Sequence, residues 1–187
     1  RATNYIAFLR KALKDAGYPN IPVVSLNLSG LEGNPGFKIT PKLFSDVLKA
    51  CLWGDLMLTL SLRVRPYEIE KGSTDKLLDK WQKKLYDGLY NKKKLKLNRV
   101  IDEIISDFDS IPVNMQNKKP RVGIVGEILV KFHPGANNDI IRVIEKEGGE
   151  AVMPGLLDFL LYCFYNTNFK HEKLGFKAST AALCNMG

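Results

Sequence analysis

The most regular hydrophobic pattern lies in the last third of the chain. A short apolar run, Arg121–Gly126, follows a proline and has the near-continuous hydrophobicity of a strand buried on both faces of a parallel sheet. Asn137 can cap the next helix, and Gly148 with Gly149 can end it. Ala151–Met153 predicts a second strand, parallel to the first and reached by a right-handed crossover. The apolar stripe of the intervening helix is Ile140, Ile141, Val143 and Ile144.

Apolar residues three or four positions apart predict five further helices. These helices cover Tyr5–Ala16, Thr40–Val64, Asp75–Tyr90, Leu97–Phe108 and Leu156–Tyr165. The first should present its apolar side to the interior, and Ser73 or Thr74 should cap the third. Ile21–Leu28 predicts a strand. Asn166–His171 is expected to break the last helix, and Ala178–Leu183 to form a short final one.

The order of helices and strands predicts an α/β protein. Its parallel sheet has few strands and is flanked by helices, with a helical insertion between strands. Residues 1–39 are expected to form a helix–strand part of the α/β domain, 40–112 the insertion, and 113–187 a strand–helix–strand–helix part. Ligands of such sheets bind beyond the carboxyl ends of the strands, so the site is expected in the loops that follow them.

Five residues of those loops are the candidate pocket-lining residues. They are Ser29, Gly30, Glu127, His133 and Asn137. The histidine beside a carboxylate could do acid–base work, although a lone loop histidine is more often a surface residue. The glycine-rich loop at 29–38 lacks the Gly-Lys-Ser/Thr ending of a phosphate-binding loop, and Pro35 removes an amide donor. A turn-rich connection is therefore the favoured interpretation of that loop, and no motif identifies catalytic residues.

The composition is that of a globular protein with an excess of positive charge. The chain has 187 residues and a formal net charge of +8, which on its own indicates an anionic partner. Much of the excess lies in the polar helical region at 83–99 and is typical of a solvated helix face. No nucleic-acid-binding module is recognisable, so nucleic acid is not a predicted partner. The sequence predicts neither a membrane span nor a signal peptide.

The three cysteines, Cys51, Cys163 and Cys184, lie far apart and lack metal-binding spacing. Cys51 and Cys163 fall in apolar helices and are predicted to be small buried thiols. An odd number of cysteines without a signal peptide predicts the reducing cytoplasm. Since the chain begins with arginine, we expect it to be a fragment of a larger protein.

Several segments resemble one protein family. The segments are Arg1–Ile6, Pro22–Glu32, Asn34–Thr40, Arg65–Glu68 and Pro120–Glu127. They resemble the large proteins related to the activators of 2-hydroxyacyl-CoA dehydratases in anaerobic bacteria, such as the 2-hydroxyglutaryl-CoA dehydratase activator. Arg121–Phe159 is in addition similar to the iron–sulfur dehydratase subunits themselves. The resemblance covers nearly the whole chain.

The resemblance implies a protein that hydrolyses ATP to drive a low-potential electron between iron–sulfur centres. It implies a [4Fe-4S] cluster held by cysteines in a flavodoxin-like or Rossmann-like arrangement. A cluster cysteine is expected just before the position of Arg1, and others in flanking regions. This chain has no Pro-Cys motif and lacks the ATP motifs of the activator domain. The cluster and ATP are therefore expected only in the full-length protein. This fragment is expected to be a scaffold wall that has no cofactor and no activity of its own.

The implied partners are flanking domains of the same protein, a redox partner protein and acyl-CoA. An alternative is an interaction module that docks the redox partner through the helical insertion. A conspicuous exposed apolar patch on the 40–65 helix or the 156–165 helix would favour this alternative. A third hypothesis is an independent small-molecule binder that uses the strand edge.

Overall fold

The computed structural model describes residues 5–23, 40–91 and 95–174. The chain divides into two compact units, Arg1–Leu43 and Phe44–Gly187. The described part is mostly helical and contains one small parallel sheet of two strands, which is compatible with the α/β class. None of its helices combines the length and apolar character needed to cross a bilayer.

The first unit contains helix α1, Tyr5–Asp15, as the sequence predicts. Gly17 ends the helix in a left-handed conformation, with φ at 87°. The Tyr18 amide donates to the Leu13 carbonyl and the Gly17 amide to the Lys14 carbonyl, which are the two bonds of a Schellman motif. No residue of α1 is buried, so the expectation of an inward apolar side is wrong. Of the predicted strand Ile21–Leu28, the described residues 21–23 are not a strand and the others lie outside the described residues.

Three long helices build the main core of the second unit, and the sequence predicted all three. They are α2 (Pro41–Val64), α3 (Ser73–Tyr90) and α4 (Leu97–Asp109), with a 3₁₀ turn at Arg65–Tyr67. Large side chains from each helix interdigitate, because each helix has one apolar stripe to remove from water. The buried residues of this cluster are Trp53, Met57, Trp81, Leu85, Val100, Ile104 and Phe108.

Helix α3 is capped by a residue outside it. Neither Ser73 nor Thr74 caps it, so that prediction is wrong, and the position before the helix is Gly72 in a left-handed conformation. The buried Glu68 carboxylate accepts hydrogen bonds from the Gly72 amide at 2.7 Å and the Thr74 amide at 2.9 Å. A carboxylate with two oxygens satisfies amide groups that a single hydroxyl could not reach together.

Strands β1 (Arg121–Gly123) and β2 (Glu150–Val152) pair in parallel, which confirms the predicted strand–helix–strand unit. Helices α5 (Ile128–Phe132), α6 (Pro134–Asn137) and α7 (Ile140–Lys146) connect the two strands. At the end of α7 the Gly149 amide donates to the Ile144 carbonyl and the Gly148 amide to the Glu145 carbonyl. This second Schellman motif confirms the predicted role of the glycine pair.

The prediction that Arg121–Gly126 is buried on both faces is wrong. All three residues of β1 are exposed, and Val125 in the following loop is 88% exposed. Among the described residues β1 pairs only with β2, so one face of the run lacks a covering layer. Ile124 points the other way and is buried. A second cluster forms there from Leu62, Ile124, Ala151 and Met153, with Leu58, Phe132, Ile140, Ile141 and Ile144 packed against it.

Helix α8, Leu156–Leu174, is longer than the sequence predicts. The predicted break at Asn166–His171 is wrong, because the segment holds neither glycine nor proline, and its asparagines and threonine cost a helix only a few tenths of a kcal/mol each. The start of α8 is capped by Asp55 of α2. The Asp55 carboxylate accepts hydrogen bonds from the Leu156 amide at 2.8 Å and the Leu157 amide at 2.7 Å. The predicted final helix, Ala178–Leu183, lies outside the described residues.

Candidate functional site

The loops at the carboxyl ends of β1 and β2 are where the sequence predicts a pocket. The Lys131 ammonium donates to the Pro154 carbonyl at 3.4 Å, so the loops after the two strands do meet, as parallel pairing requires. Of the five predicted pocket residues, Ser29 and Gly30 lie outside the described residues. The other three lie in the connection that follows β1.

Glu127 caps helix α5. Its Oε2 atom accepts hydrogen bonds from the Leu129 amide at 2.9 Å and the Val130 amide at 3.1 Å. A carboxylate at this position also interacts favourably with the positive end of a helix. The side chain therefore organises the loop, and a direct part in a pocket stays a prediction.

Asn137 holds α5, α6 and α7 together. Its amide nitrogen donates to the Val130 carbonyl at 2.9 Å and the Lys131 carbonyl at 3.1 Å, and its oxygen accepts from the Ile140 amide at 3.3 Å. The predicted capping role is thus confirmed in its contact with the start of α7, although the cap position itself is Asp139. His133 joins α5 to α6 through its backbone, and its residue surface is exposed.

The two described cysteines, Cys51 on α2 and Cys163 on α8, have different surroundings. Burial, and after it the carboxylate of Asp55, raises the pKa of the Cys51 thiol. Cys163 is exposed, so the prediction of a buried thiol is wrong there. Within residues 5–23, 40–91 and 95–174, no group of three or more His, Cys, Asp or Glu side chains is placed to hold a metal ion.

A cleft that the sequence did not predict opens at the opposite, amino-terminal edge of the sheet. Its volume is about 220 Å³, and it is lined by Arg63, Tyr67, Met115, Lys118, Arg121 and Glu150. We call it the amino-edge cleft. Residues Arg121 and Glu150 begin the two strands and are direct partners in the parallel register.

The buried Tyr67 forms the inner wall of the amino-edge cleft. Two backbone hydrogen bonds hold the Tyr67 turn against residues 112–114. The Asn114 amide donates to the Tyr67 carbonyl at 2.8 Å, and the Ile69 amide donates to the Pro112 carbonyl at 3.0 Å. The turn thereby fixes the position of the phenol ring, and the contacts of the hydroxyl are held in place.

The buried Glu150 carboxylate lies at the centre of this cleft. The Tyr67 hydroxyl donates to Glu150 Oε2 at 2.8 Å, and Arg121 Nε lies 3.3 Å from Glu150 Oε1. The Lys119 amide in turn donates to the Tyr67 hydroxyl oxygen at 3.0 Å. Each carboxylate oxygen thus has one polar partner, as a buried charge requires.

A separate ion network joins the 3₁₀ turn after α2 to helices α3 and α7. Arg65 binds Asp75 and Glu145 at 3.0 Å each, and Arg142 binds Asp75 at 2.8 Å. Burial raises the pKa of Glu145, and Arg65 offsets this only in part. Burial would also raise the pKa of Asp75, but its hydrogen bonds and ion pairs with Arg142 and Arg65 outweigh burial and lower it. Each charged group of this network is paired with an opposite charge inside it, so the network has a structural role.

Sequence reasoning missed the amino-edge cleft because its members are far apart in the chain. Tyr67 and Glu150 are separated by 83 positions, and no local motif relates them. The strand register is the one available signal, since strands that start at 121 and 150 place those two residues side by side.

Comparison with protein-family models, curated proteins and solved structures finds no match to this chain.

Proposed function

We propose that this chain is the scaffold part of an ATP-dependent iron–sulfur electron-transfer protein related to 2-hydroxyacyl-CoA dehydratases and their activators. The proposal rests on the resemblance of the segments Arg65–Glu68 and Pro120–Glu127. One observation supports it: these segments come together, since Tyr67 from the first and Arg121 from the second bind the two oxygens of Glu150. Two of the five segments that carry the resemblance therefore contribute to one local structure.

In this proposal the chain supplies walls and contacts, and other parts of a longer protein supply the chemistry. The cluster cysteines and the ATP site belong to flanking domains, as the family resemblance implies. The parallel β1–β2 unit forms part of a flavodoxin-like or Rossmann-like sheet. Acyl-CoA and a redox protein are the proposed partners, and the reducing cytoplasm the proposed location.

Metal analysis of two proteins tests this proposal. The chain alone, after anaerobic reconstitution with iron and sulfide, is expected to hold no stoichiometric iron. A longer protein that restores upstream and downstream segments is expected to hold iron and acid-labile sulfide, and to reduce an acceptor only when ATP is hydrolysed. The matched control for the short chain is the Cys51→Ala/Cys163→Ala/Cys184→Ala variant.

Two outcomes would contradict the scaffold proposal. Stoichiometric iron in the short chain that disappears in the triple variant would make these cysteines ligands. If a longer protein binds no iron, or transfers electrons without ATP, that result would contradict the proposed function itself.

A second candidate function is the docking of a redox partner protein. Exposed apolar side chains on the amino-terminal half of α2 and on α8 favour it, because monomeric proteins rarely leave large apolar patches in water. On α2 these side chains are Leu43, Phe44, Val47, Leu48 and Leu52. On α8 they are Phe159, Leu161, Tyr162, Tyr165 and Phe169.

Binding to the purified dehydratase component tests the docking function. Phe44→Ser/Val47→Ser is expected to weaken binding at least roughly tenfold, because a buried aromatic anchor contributes about 2 kcal/mol or more at an interface. Tyr86→Ser removes an aromatic ring that is also more than half exposed, from α3, and is the control. Equal affinity of all three proteins would exclude docking through α2.

A further inference from the structure

The amino-edge cleft carries more positive charge than its own carboxylate can neutralise. Three cationic side chains, Arg63, Lys118 and Arg121, line it together with one carboxylate, Glu150. Within the described residues, Arg63 and Lys118 make no ion pair or side-chain hydrogen bond. Like charges held at the edge of one cleft repel each other, and an anion that enters would remove this repulsion.

Arg121 has hydrogen-bonding capacity left for a ligand. Its Nε atom faces Glu150, whereas its two terminal nitrogens have no acceptor within the described residues. The Nε contact orients the guanidinium, and the exposed terminal nitrogens form the planar fork that binds phosphate or carboxylate oxygens in pairs. Glu150 therefore positions the arginine and leaves its binding face available.

Tyr67 keeps Glu150 in place. Its hydroxyl donates to Glu150 and accepts from the Lys119 amide, so it already has partners within the protein. The remaining donors at the cleft are cationic side chains of three separate segments, namely the end of α2, the 113–120 linker and the start of β1. Convergence of cations from separate segments distinguishes this cleft from a solvated helix face.

We propose that the amino-edge cleft binds the phosphate or diphosphate group of an organic phosphate. A cleft of about 220 Å³ is smaller than the 300–1,000 Å³ typical of sites that enclose a whole small molecule. It accommodates the charged group alone, and the organic part of the ligand extends past Met115, which supplies an apolar wall. The inference is independent of the proposed electron-transfer function, and it places binding at the edge opposite the predicted one.

Calorimetric titration of the chain with inorganic pyrophosphate at low ionic strength tests the proposal. The expected result is saturable binding with one site per chain, weakened by added salt because screening reduces exposed charge interactions. Arg63→Gln/Lys118→Gln is expected to weaken binding at least roughly tenfold, since two charge-assisted contacts to the phosphate are lost. Neither side chain has a hydrogen-bond or ion-pair partner in the part of the chain that the structure describes, so the double variant should not lower the ligand-free melting temperature.

The matched control is Lys76→Gln/Lys83→Gln, which removes two positive charges from α3 and leaves the cleft intact. Unchanged affinity of this variant is expected. An equal loss in both double variants would overturn the proposal, because the attraction would then be a property of net charge. Arg121→Lys is a second cleft variant that retains a charge beside Glu150 and loses the fork, and it too should weaken binding.

Other ligands identify the source of the phosphate. Coenzyme A and ATP compete with pyrophosphate if their phosphates use this cleft, and tighter binding of one identifies the organic part that contacts Met115. Citrate is the test of chemistry, since it carries comparable charge on carboxylates. Citrate binding as tight as that of pyrophosphate, or no saturable binding of any phosphate, would overturn the proposal.

Discussion

At the scale of single residues, most of the informative polar side chains serve the backbone. Glu68, Asp55 and Glu127 each accept hydrogen bonds from two amides at or just before a helix start. The Asn137 side chain also binds the backbone, since its nitrogen donates to the Val130 carbonyl and its oxygen accepts from the Ile140 amide. Sequence alone cannot separate such residues from pocket residues, because a loop carboxylate before a helix has the same appearance in both roles.

Gly126 is a residue whose backbone conformation excludes a side chain. Its φ angle is 147°, which non-glycine residues rarely adopt, although an added Cβ would contact no atom within 4 Å. Gly126→Val should therefore destabilise the fold by about 1–3 kcal/mol through backbone strain alone. Gly123→Val is the matched control, since Gly123 lies in β1, has ordinary φ and has equal space. Urea unfolding of both variants measures the difference, and equal stability would show that strain at 126 is absent.

At the scale of elements, two helices take their caps from elsewhere in the chain. Asp55 on α2 caps α8, and Glu68 caps α3 across the intervening turn. The sequence predicted the existence of α2, α3 and α4, because hydrophobic periodicity is a local property. It could not predict the partner of a helix end that lies 101 positions away, as with Asp55 and Leu156.

Asp55→Ala should loosen the start of α8. Two amides would lose their acceptor, at an expected cost of about 1–2 kcal/mol in the free energy of unfolding. Gly155→Ala should disturb the same contact, because a Cβ there would lie 2.5 Å from Asp55 Oδ2. The two changes should then be non-additive, the alanine at 155 costing less once Asp55 is removed. Asp79→Ala, exposed on α3, is the control, and strict additivity would show that the residues act separately.

The Glu68 cap should make stability depend on pH. Burial alone would raise the pKa of Glu68, but the hydrogen bonds from the Gly72 and Thr74 amides outweigh it and lower the pKa from 4.5. A carboxyl with a lowered folded pKa stabilises the fold above its unfolded pKa, and this contribution is lost as the pH falls through the folded value. Glu68→Gln should cost about 1–2 kcal/mol at neutral pH.

Urea unfolding from about pH 7 to about pH 3 checks the Glu68 prediction. The difference between the protein and Glu68→Gln should shrink as the pH falls, because both then carry an uncharged cap. Glu70→Gln, an exposed neighbour without a side-chain partner among the described residues, should leave the profile unchanged. A constant difference across this range would mean that the charge of the cap does not matter.

At the scale of the whole second unit, the ion network joins the three-helix core to the strand–helix–strand unit. Arg65 lies in the 3₁₀ turn that follows α2, Asp75 in α3, and Arg142 and Glu145 in α7. The sequence predicted the parallel pairing of β1 and β2 but gave no sign of this connection. Charged residues at helix ends are common on solvated surfaces, and only the packing of α7 against α2 makes Arg65 and Glu145 partners.

Arg65→Met is the change that should affect this junction most. The side chains of Arg65 and Glu145 are 10% and 11% exposed, so loss of the arginine leaves a buried carboxylate without its main partner. Breaking such a pair costs about 3–5 kcal/mol, whereas replacing both charges by apolar groups of similar volume can be nearly neutral. Arg65→Met/Glu145→Met should therefore recover much of the loss. Arg99→Met breaks an exposed pair with Glu103 and should change stability little.

The pH dependence of the Arg65→Met deficit separates the electrostatic effect from lost packing. Glu145 already has a raised pKa. A carboxyl with a raised folded pKa stabilises the folded state when it is protonated, and this contribution to the free energy of unfolding is lost as the pH rises through the folded pKa. Without Arg65 its pKa should rise further, and Asp75 loses one of the cations that lower its own. Both effects make the deficit largest at neutral pH and smaller near pH 4.5, the ordinary value for Glu145. Urea unfolding at the two pH values measures it, and an equal deficit at both would assign the loss to the packing of the arginine stem.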